Sequence, residues 1–211
     1  LGKLQNIPIG TNNFNLSVAQ VNSSGSTFQI PWAEDALGQP FPWTLWDNIL
    51  SHEMGHSLGV AHANGWHCDE EIFRGNCYHI EYGNVFDDMG FGFWALHFNS
   101  FYKELLGWIR PADTISISGS GRYSLSPLEL SATGAPPKLA RIKSPYGPST
   151  VFYLEYRRAV GFDEKLAQTN LSSNQNGLFV NNIIYPNNVT GYYPHARLLD
   201  MQPTSQSWYE D

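Results

Sequence analysis

The sequence predicts an α+β fold, in which a helix-bearing first half is followed by an all-β, sandwich-like C-terminal module. Three observations carry this. Apolar residues Leu45, Trp46, Ile49, Leu50 and Leu58 recur at helical spacing. A second stretch, from His97 to Trp108, carries Phe98, Phe101, Tyr102 and Leu105 as an apolar stripe and ends at Gly107, a residue suited to a helix C-terminus. Beyond Pro111 the pattern changes to short alternating runs, at Thr114–Ser118, Arg122–Leu125, Leu139–Ile142, Val151–Arg157, Leu178–Ile184 and Ala196–Met201. Gly, Pro, Asn and Ser clusters separate these runs, as expected between strands. The change of pattern places a boundary between residues 1–110 and 111–211.

Before the first helix, residues 1–43 show no helical periodicity. Phe14–Val21 alternates as a strand does, Asn22–Ser26 reads as the turn after it, and Thr27–Ile30 as a second strand. Pro31, Pro40 and Pro42 then interrupt the chain. Thr44 is suited to cap the helix, with Asp47 three residues on. After the helix, residues 64–83 read as a long loop, and loops of that length are commonly functional or cross-linked.

Composition narrows the function classes. The chain has 211 residues, 42% of them hydrophobic and 15% charged, enough to bury a core. A net charge of −7 and the lack of any Lys/Arg cluster argue against nucleic acid, whose phosphates demand a basic surface. No run approaches 18 apolar residues, so no membrane span is expected. The two cysteines, Cys68 and Cys77, predict a disulfide and hence an oxidising, extracellular compartment; two free thiols are the alternative. Sequons at Asn15, Asn22, Asn170 and Asn188 are compatible with secretion. Starting at Leu1 and ending at Asp211, the chain reads as a piece of a longer protein whose signal peptide lies outside it.

Chemistry concentrates in residues 52–62, which read H-E-x-x-H-x-x-G-x-x-H. On a helix, His52 and His56 share one face about 6 Å apart along the axis, so both imidazoles can reach one Zn2+ ion. Gly59 permits the turn that brings in His62 as a third ligand. Three protein ligands leave a position open for water, the arrangement of a catalytic zinc. Glu53, beside the first ligand, is placed to act as general base on that water. The five fixed positions would arise by chance in about one in 10⁵ chains of this length, so the pattern is specific. A structural zinc would need a fourth protein ligand, for which His67 and His79 are the candidates.

Twenty-seven residues after His62 stands Met89, within Asp87-Asp88-Met89-Gly90. The zinc motif followed by such a Met resembles the metzincin metallopeptidases. The order of Met, helix and Leu106-Gly107-Trp108 most resembles the gametolysin-like branch and related secreted bacterial peptidases. The resemblance implies a zinc metalloendopeptidase acting on protein or peptide substrates, with Met89 as the apolar floor of the site. It also implies that the 1–110 unit is a catalytic domain truncated on its N-terminal side, since only about 43 residues precede the metal helix. Where some metzincins carry a Tyr two residues after the Met, this chain has Phe91. A pocket walled by Phe86, Phe91, Phe93 and Trp94 is expected. A catalytically silent binding module on the same scaffold is the rival reading, against which the intact Glu53 argues.

Overall fold

The structure, a computed structural model, describes residues 51–91, 95–130, 132–144, 150–168, 176–185 and 194–201, and the backbone of residues 3–9, 12–18, 23–24 and 27–28. Near the N-terminus, β1 (Lys3–Ile9) and β2 (Asn12–Val18) pair antiparallel, as do the two-residue strands β3 (Ser23–Ser24) and β4 (Thr27–Phe28). The two expected strands thus fall on β2 and β4, while β1 was not anticipated. Residues 19–22, 25–26 and 29–30, and the first half of the predicted metal helix, lie outside the described residues.

Residues 51–57 are helical and are called α1. They are followed by β5 (Asn64–Cys68), β6 (Cys77–Ile80), α2 (Ser100–Leu105), β7 (Thr114–Ile117), β8 (Leu139–Lys143) and β9 (Thr150–Arg158). A 3₁₀ helix, Gly161–Gln168, then leads to β10 (Asn176–Ile184) and β11 (His195–Leu199). Strands β5 to β11 form one mixed sheet in the order β6-β5-β11-β10-β9-β8-β7. The β11–β5 and β7–β8 pairs are parallel and the others antiparallel.

Five of the six alternating runs beyond Pro111 are strands. The sixth, Arg122–Leu125, is not: Arg122, Tyr123 and Ser124 are exposed, and the neighbouring chain makes single backbone bonds to Pro137 and Tyr156 in place of a ladder. The expected two-sheet sandwich is replaced by one ladder that also takes in β5 and β6 from before Pro111. The position of the expected boundary is therefore not a break in the sheet. The predicted loop after His62 is a hairpin, β5–β6, whose partner on its other side, β11, lies some 130 residues away in sequence. Its short strands carry His, Asn and Cys and show no apolar alternation, so local pattern could not reveal them. A disulfide joins Cys68 to Cys77 across the hairpin, as predicted.

The main core joins the end of α1 to the sheet. Val60, Ala63, Met89, Phe98, Phe101 and Tyr102 pack with Leu139, Tyr153, Ile183 and Ala196 from β8, β9, β10 and β11. In α2, Asn99 caps the N-terminus by accepting from the Tyr102 N–H at 3.0 Å, and Gly107 (φ 74°) ends the helical stretch. The expected stripe is observed at Phe98, Phe101 and Tyr102, but Leu105 is 50% exposed. Leu105 is the last residue of this six-residue helix, and the Lys103 side chain is buried instead.

Beneath this core lies a buried ion network that ties the sheet to residues 86–99. Arg157 on β9 is 1% exposed and grips Asp163 with Nε (2.8 Å) and Nη2 (2.6 Å). The same guanidinium donates to the carbonyls of Phe86 (2.6 Å) and His97 (3.1 Å). Burying an arginine alone would be costly; two-pronged pairing with a carboxylate and bonds to two backbone carbonyls offset that cost. Burial is the largest influence on Asp163 and pushes its carboxyl up, but Arg157 overrides it and holds the group at about 2.

Two outcomes are expected. Replacing Cys68 and Cys77 together by Ala should cost about 2–3 kcal/mol of folding stability, the loop-closure value for a bridge of this span, read from denaturant unfolding. Secondly, burial, then Lys103 and Arg157, hold His97 down to about 4. The unfolded chain, titrating near 6.5, then takes up the proton first, so this group makes stability fall as pH drops from about 6.5 to about 4. His97→Gln should flatten the dependence of unfolding free energy on pH in that window.

Candidate metal centre

The turn that ends α1 is built by Gly59, at φ 93°. Its N–H bonds the carbonyl of His56 (3.0 Å), and the Val60 N–H bonds that of Gly55 (3.1 Å). This pair of bonds is the Schellman arrangement, and a side chain at residue 59 would strain the backbone that makes it. The chain is thereby reversed so that His62 returns beside the helix, just before β5 begins at Asn64.

His52, His56 and His62 are brought together as predicted: their ring centroids are 4.8, 5.4 and 4.8 Å apart. One nitrogen from each lies within 4.8 Å of the others, and among the described residues this group has three members. The outer nitrogen of every ring is committed. His52 Nδ1 donates to the Asp88 carbonyl (2.8 Å), His56 Nδ1 to the Val60 carbonyl (3.0 Å), and His62 Nδ1 to a Glu81 carboxylate oxygen. Carbonyl and carboxylate oxygens can only accept, so each Nδ1 is the donor in its bond, and Nε2 is the nitrogen left for a metal. Three clustered imidazoles, each with Nδ1 engaged elsewhere, are a donor set that suits zinc, so the residues fit that ion. Burial, and then the repulsion of His56 and His62, hold His52 below the usual imidazole value, which favours the neutral form that ligation needs.

Met89 lies completely buried against α1: a Cβ added at Gly55 would run into its sulfur. The turn around it is shaped by Asp87. Its carboxylate accepts from the N–H groups of Met89 (2.8 Å) and Asn99 (2.6 Å) and from Asn99 Nδ2 (2.7 Å). Burial pushes Asp87 up to about 7 against the pull of these donors and of Arg157. Gly90 is required at the end of the turn, because a Cβ there would strike the Asn84 carbonyl. From this turn the Met89 carbonyl accepts from the Ala63 N–H at 2.8 Å.

Glu53 is half-buried on α1, its carboxylate near enough to act electrostatically on both His52 and Tyr82. Three residues around His62 escaped the sequence reading. Glu81 bridges His62 Nδ1 and His79 Nε2 (3.0 Å). Partial burial pushes its carboxyl up, but the bonds from the two histidines prevail and hold it below the usual glutamate range. Tyr82 packs its ring on His62, with centroids 3.8 Å apart, and lies 5.9 Å from His52. Tyr102 donates from its hydroxyl to the His62 carbonyl at 2.7 Å. Tyr102 is legible in sequence only as a core aromatic. Glu81 and Tyr82 sit in a Tyr-Gly turn that local pattern marks as loop and nothing more.

The remaining predicted residues are placed elsewhere. His67 bonds Asp200 (2.5 Å), and His79 stands one layer out, behind Glu81; neither joins the three ligand nitrogens. The disulfide is in the neighbouring hairpin. Of the expected pocket walls, Phe86 is buried in a second core against Phe179 and Phe91 is 67% exposed, while Phe93 and Trp94 lie outside the described residues. A cavity of about 410 Å³ does open beside the start of α1, lined by Ser51, Asp88, Leu96, Phe98, Trp108 and Phe162 among others. Comparison with family models, curated proteins and solved structures finds no match to this chain.

Removing the anchor of the third ligand should loosen the site. Glu81→Gln is expected to weaken zinc binding on the order of 10- to 100-fold, measured by competition with a chromogenic chelator, with the fold intact by circular dichroism.

Proposed function

We propose that this chain is a zinc-dependent endopeptidase of the metzincin type, acting on proteins outside the reducing compartments of the cell. One observation carries the reading: three histidines, each held through Nδ1, cluster their ligand nitrogens within 4.8 Å of one another on and beside the helix that bears an intact Glu53. The Cys68–Cys77 disulfide is compatible with the location. The burial of Met89 against Gly55 of α1 supports reading it as the apolar floor of the site.

Zinc, when bound, supplies Lewis-acid polarisation of the scissile carbonyl and acidifies water toward neutrality. The chain's residues do the rest. Glu53 takes a proton from the attacking water as its oxygen bonds to the carbonyl carbon. The same carboxyl then hands that proton to the leaving nitrogen as the C–N bond breaks, leaving one carboxylic acid and one amine. Hydrogen bonds from Nδ1 keep the three imidazoles from rotating during this cycle. The buried sulfur and apolar core below α1 exclude water from the underside of the site.

The test is cleavage of casein by the full chain, abolished by a chelator and restored by zinc. Glu53→Gln should retain stoichiometric zinc while losing roughly 10²–10⁴-fold in activity. A variant that retained near-normal turnover would refute the role of Glu53.

A further inference from the structure

The described residues include two tyrosines that touch His62, and they differ in what their hydroxyls do. Tyr102 is completely buried, donates to the His62 carbonyl at 2.7 Å and accepts from the Ala196 N–H at 3.3 Å. Its hydroxyl is spent on structure. Tyr82 is half-buried, and its hydroxyl has no hydrogen-bond partner among the described residues.

What holds Tyr82 in place is its backbone. The residue stands in the left-handed region at φ 58°, which a bulky side chain adopts only under constraint. Its N–H donates to Asn64 Oδ1 (3.0 Å), and its carbonyl accepts from the Phe91 N–H (2.7 Å). Gly83 follows in close approach to Gly65, where a Cβ would come within 2.7 Å of the backbone nitrogen. The turn that results delivers two consecutive side chains to one histidine. Glu81 takes the Nδ1 edge of His62, and Tyr82 lies across its face and reaches toward His52. A ring serving only as packing would do this as well without its hydroxyl. The Tyr82 ring, however, approaches two of the three clustered histidines and leaves the hydroxyl unpartnered among the described residues, with the Glu53 carboxylate near enough to act on it.

We infer that Tyr82 is a catalytic hydrogen-bond donor, its hydroxyl binding the oxygen of the substrate carbonyl as that oxygen becomes negative during attack by water. The identity of the reacting carbonyl rests on the peptidase reading above. A tyrosine suits the task, since its O–H remains protonated at neutral pH and donates to an oxyanion without itself transferring the proton. The position also supplies a donor to a site in which residue 91, two after Met89, is a phenylalanine.

The deciding comparison is Tyr82→Phe with the parent chain, both loaded with zinc. Two readouts are taken: casein cleavage, and calorimetric binding of phosphoryl-Leu-Trp, which presents a tetrahedral anion, against acetohydroxamate, which does not. The expected result is a loss on the order of 10²-fold in both kcat and phosphoryl-Leu-Trp affinity. KM, acetohydroxamate affinity and zinc affinity should be unchanged. Equal binding of the phosphoryl probe by the two proteins would overturn the assignment. So would a matching loss of zinc affinity, which would make Tyr82 a support for His62 and not a donor to substrate. Should the parent chain bind the probe but cleave no casein, the peptidase reading falls while the binding comparison still decides what the hydroxyl does.

Discussion

Two hydrogen bonds from adjacent residues of one turn govern the geometry of the centre. The Asp88 carbonyl receives His52 Nδ1, and the Met89 carbonyl receives the Ala63 N–H next to His62. The first arm of the site is a helix and the second is the entry to a strand, and nothing in α1 itself sets the distance between them. The turn does. It is held in shape by the buried Asp87 carboxylate and closes at Gly90, where the chain has no room for a side chain. Removing that carboxylate would leave the N–H groups of Met89 and Asn99 buried without an acceptor, a cost of about 1–3 kcal/mol for each.

From that turn the dependence runs outward into the sheet. Arg157 on β9 grips the carbonyls of Phe86 and His97, one on each side of the turn, and is itself neutralised by Asp163 from the 3₁₀ helix. The centre is therefore not a helix carrying ligands on a separate support. The β-rich half that follows Pro111, none of whose described residues joins the histidine cluster, contributes the rigidity of the cluster's surroundings. A sheet crossing that position makes this possible, because β11 lies between β5 and the rest of the ladder.

Around His62 the structure concentrates more contacts than around the other two histidines of the cluster. Glu81 binds its edge, Tyr82 covers its face, and Tyr102 with Asn64 Nδ2 (3.1 Å) holds its carbonyl. The physical reason is that His52 and His56 gain their orientation from a shared helix, whereas His62 stands in irregular backbone and must be oriented from outside. The Glu81-Tyr82-Gly83 turn supplies that orientation.

The sequence by itself determined what is encoded by local spacing. The i,i+4 pair of His52 and His56, the positive-φ glycine at residue 59, the return of His62, the helix end at Gly107 and five strands after Pro111 all follow from periodicity or from the limits of single residues. The Cys68–Cys77 bridge was legible from the cysteine count. Tertiary structure alone decided that β5 and β6 are strands, because their stabilisation comes from β11 and not from apolar alternation of their own. It alone decided that one sheet replaces a sandwich, since strand partners are chosen by packing across the whole chain. The roles of Glu81, Tyr82 and Arg157 belong to the same class. Glu81 and Tyr82 act through His62 and Asn64, 19 and 18 residues away, and Arg157 through Phe86, 71 residues away, and such pairings leave no period for the sequence to display.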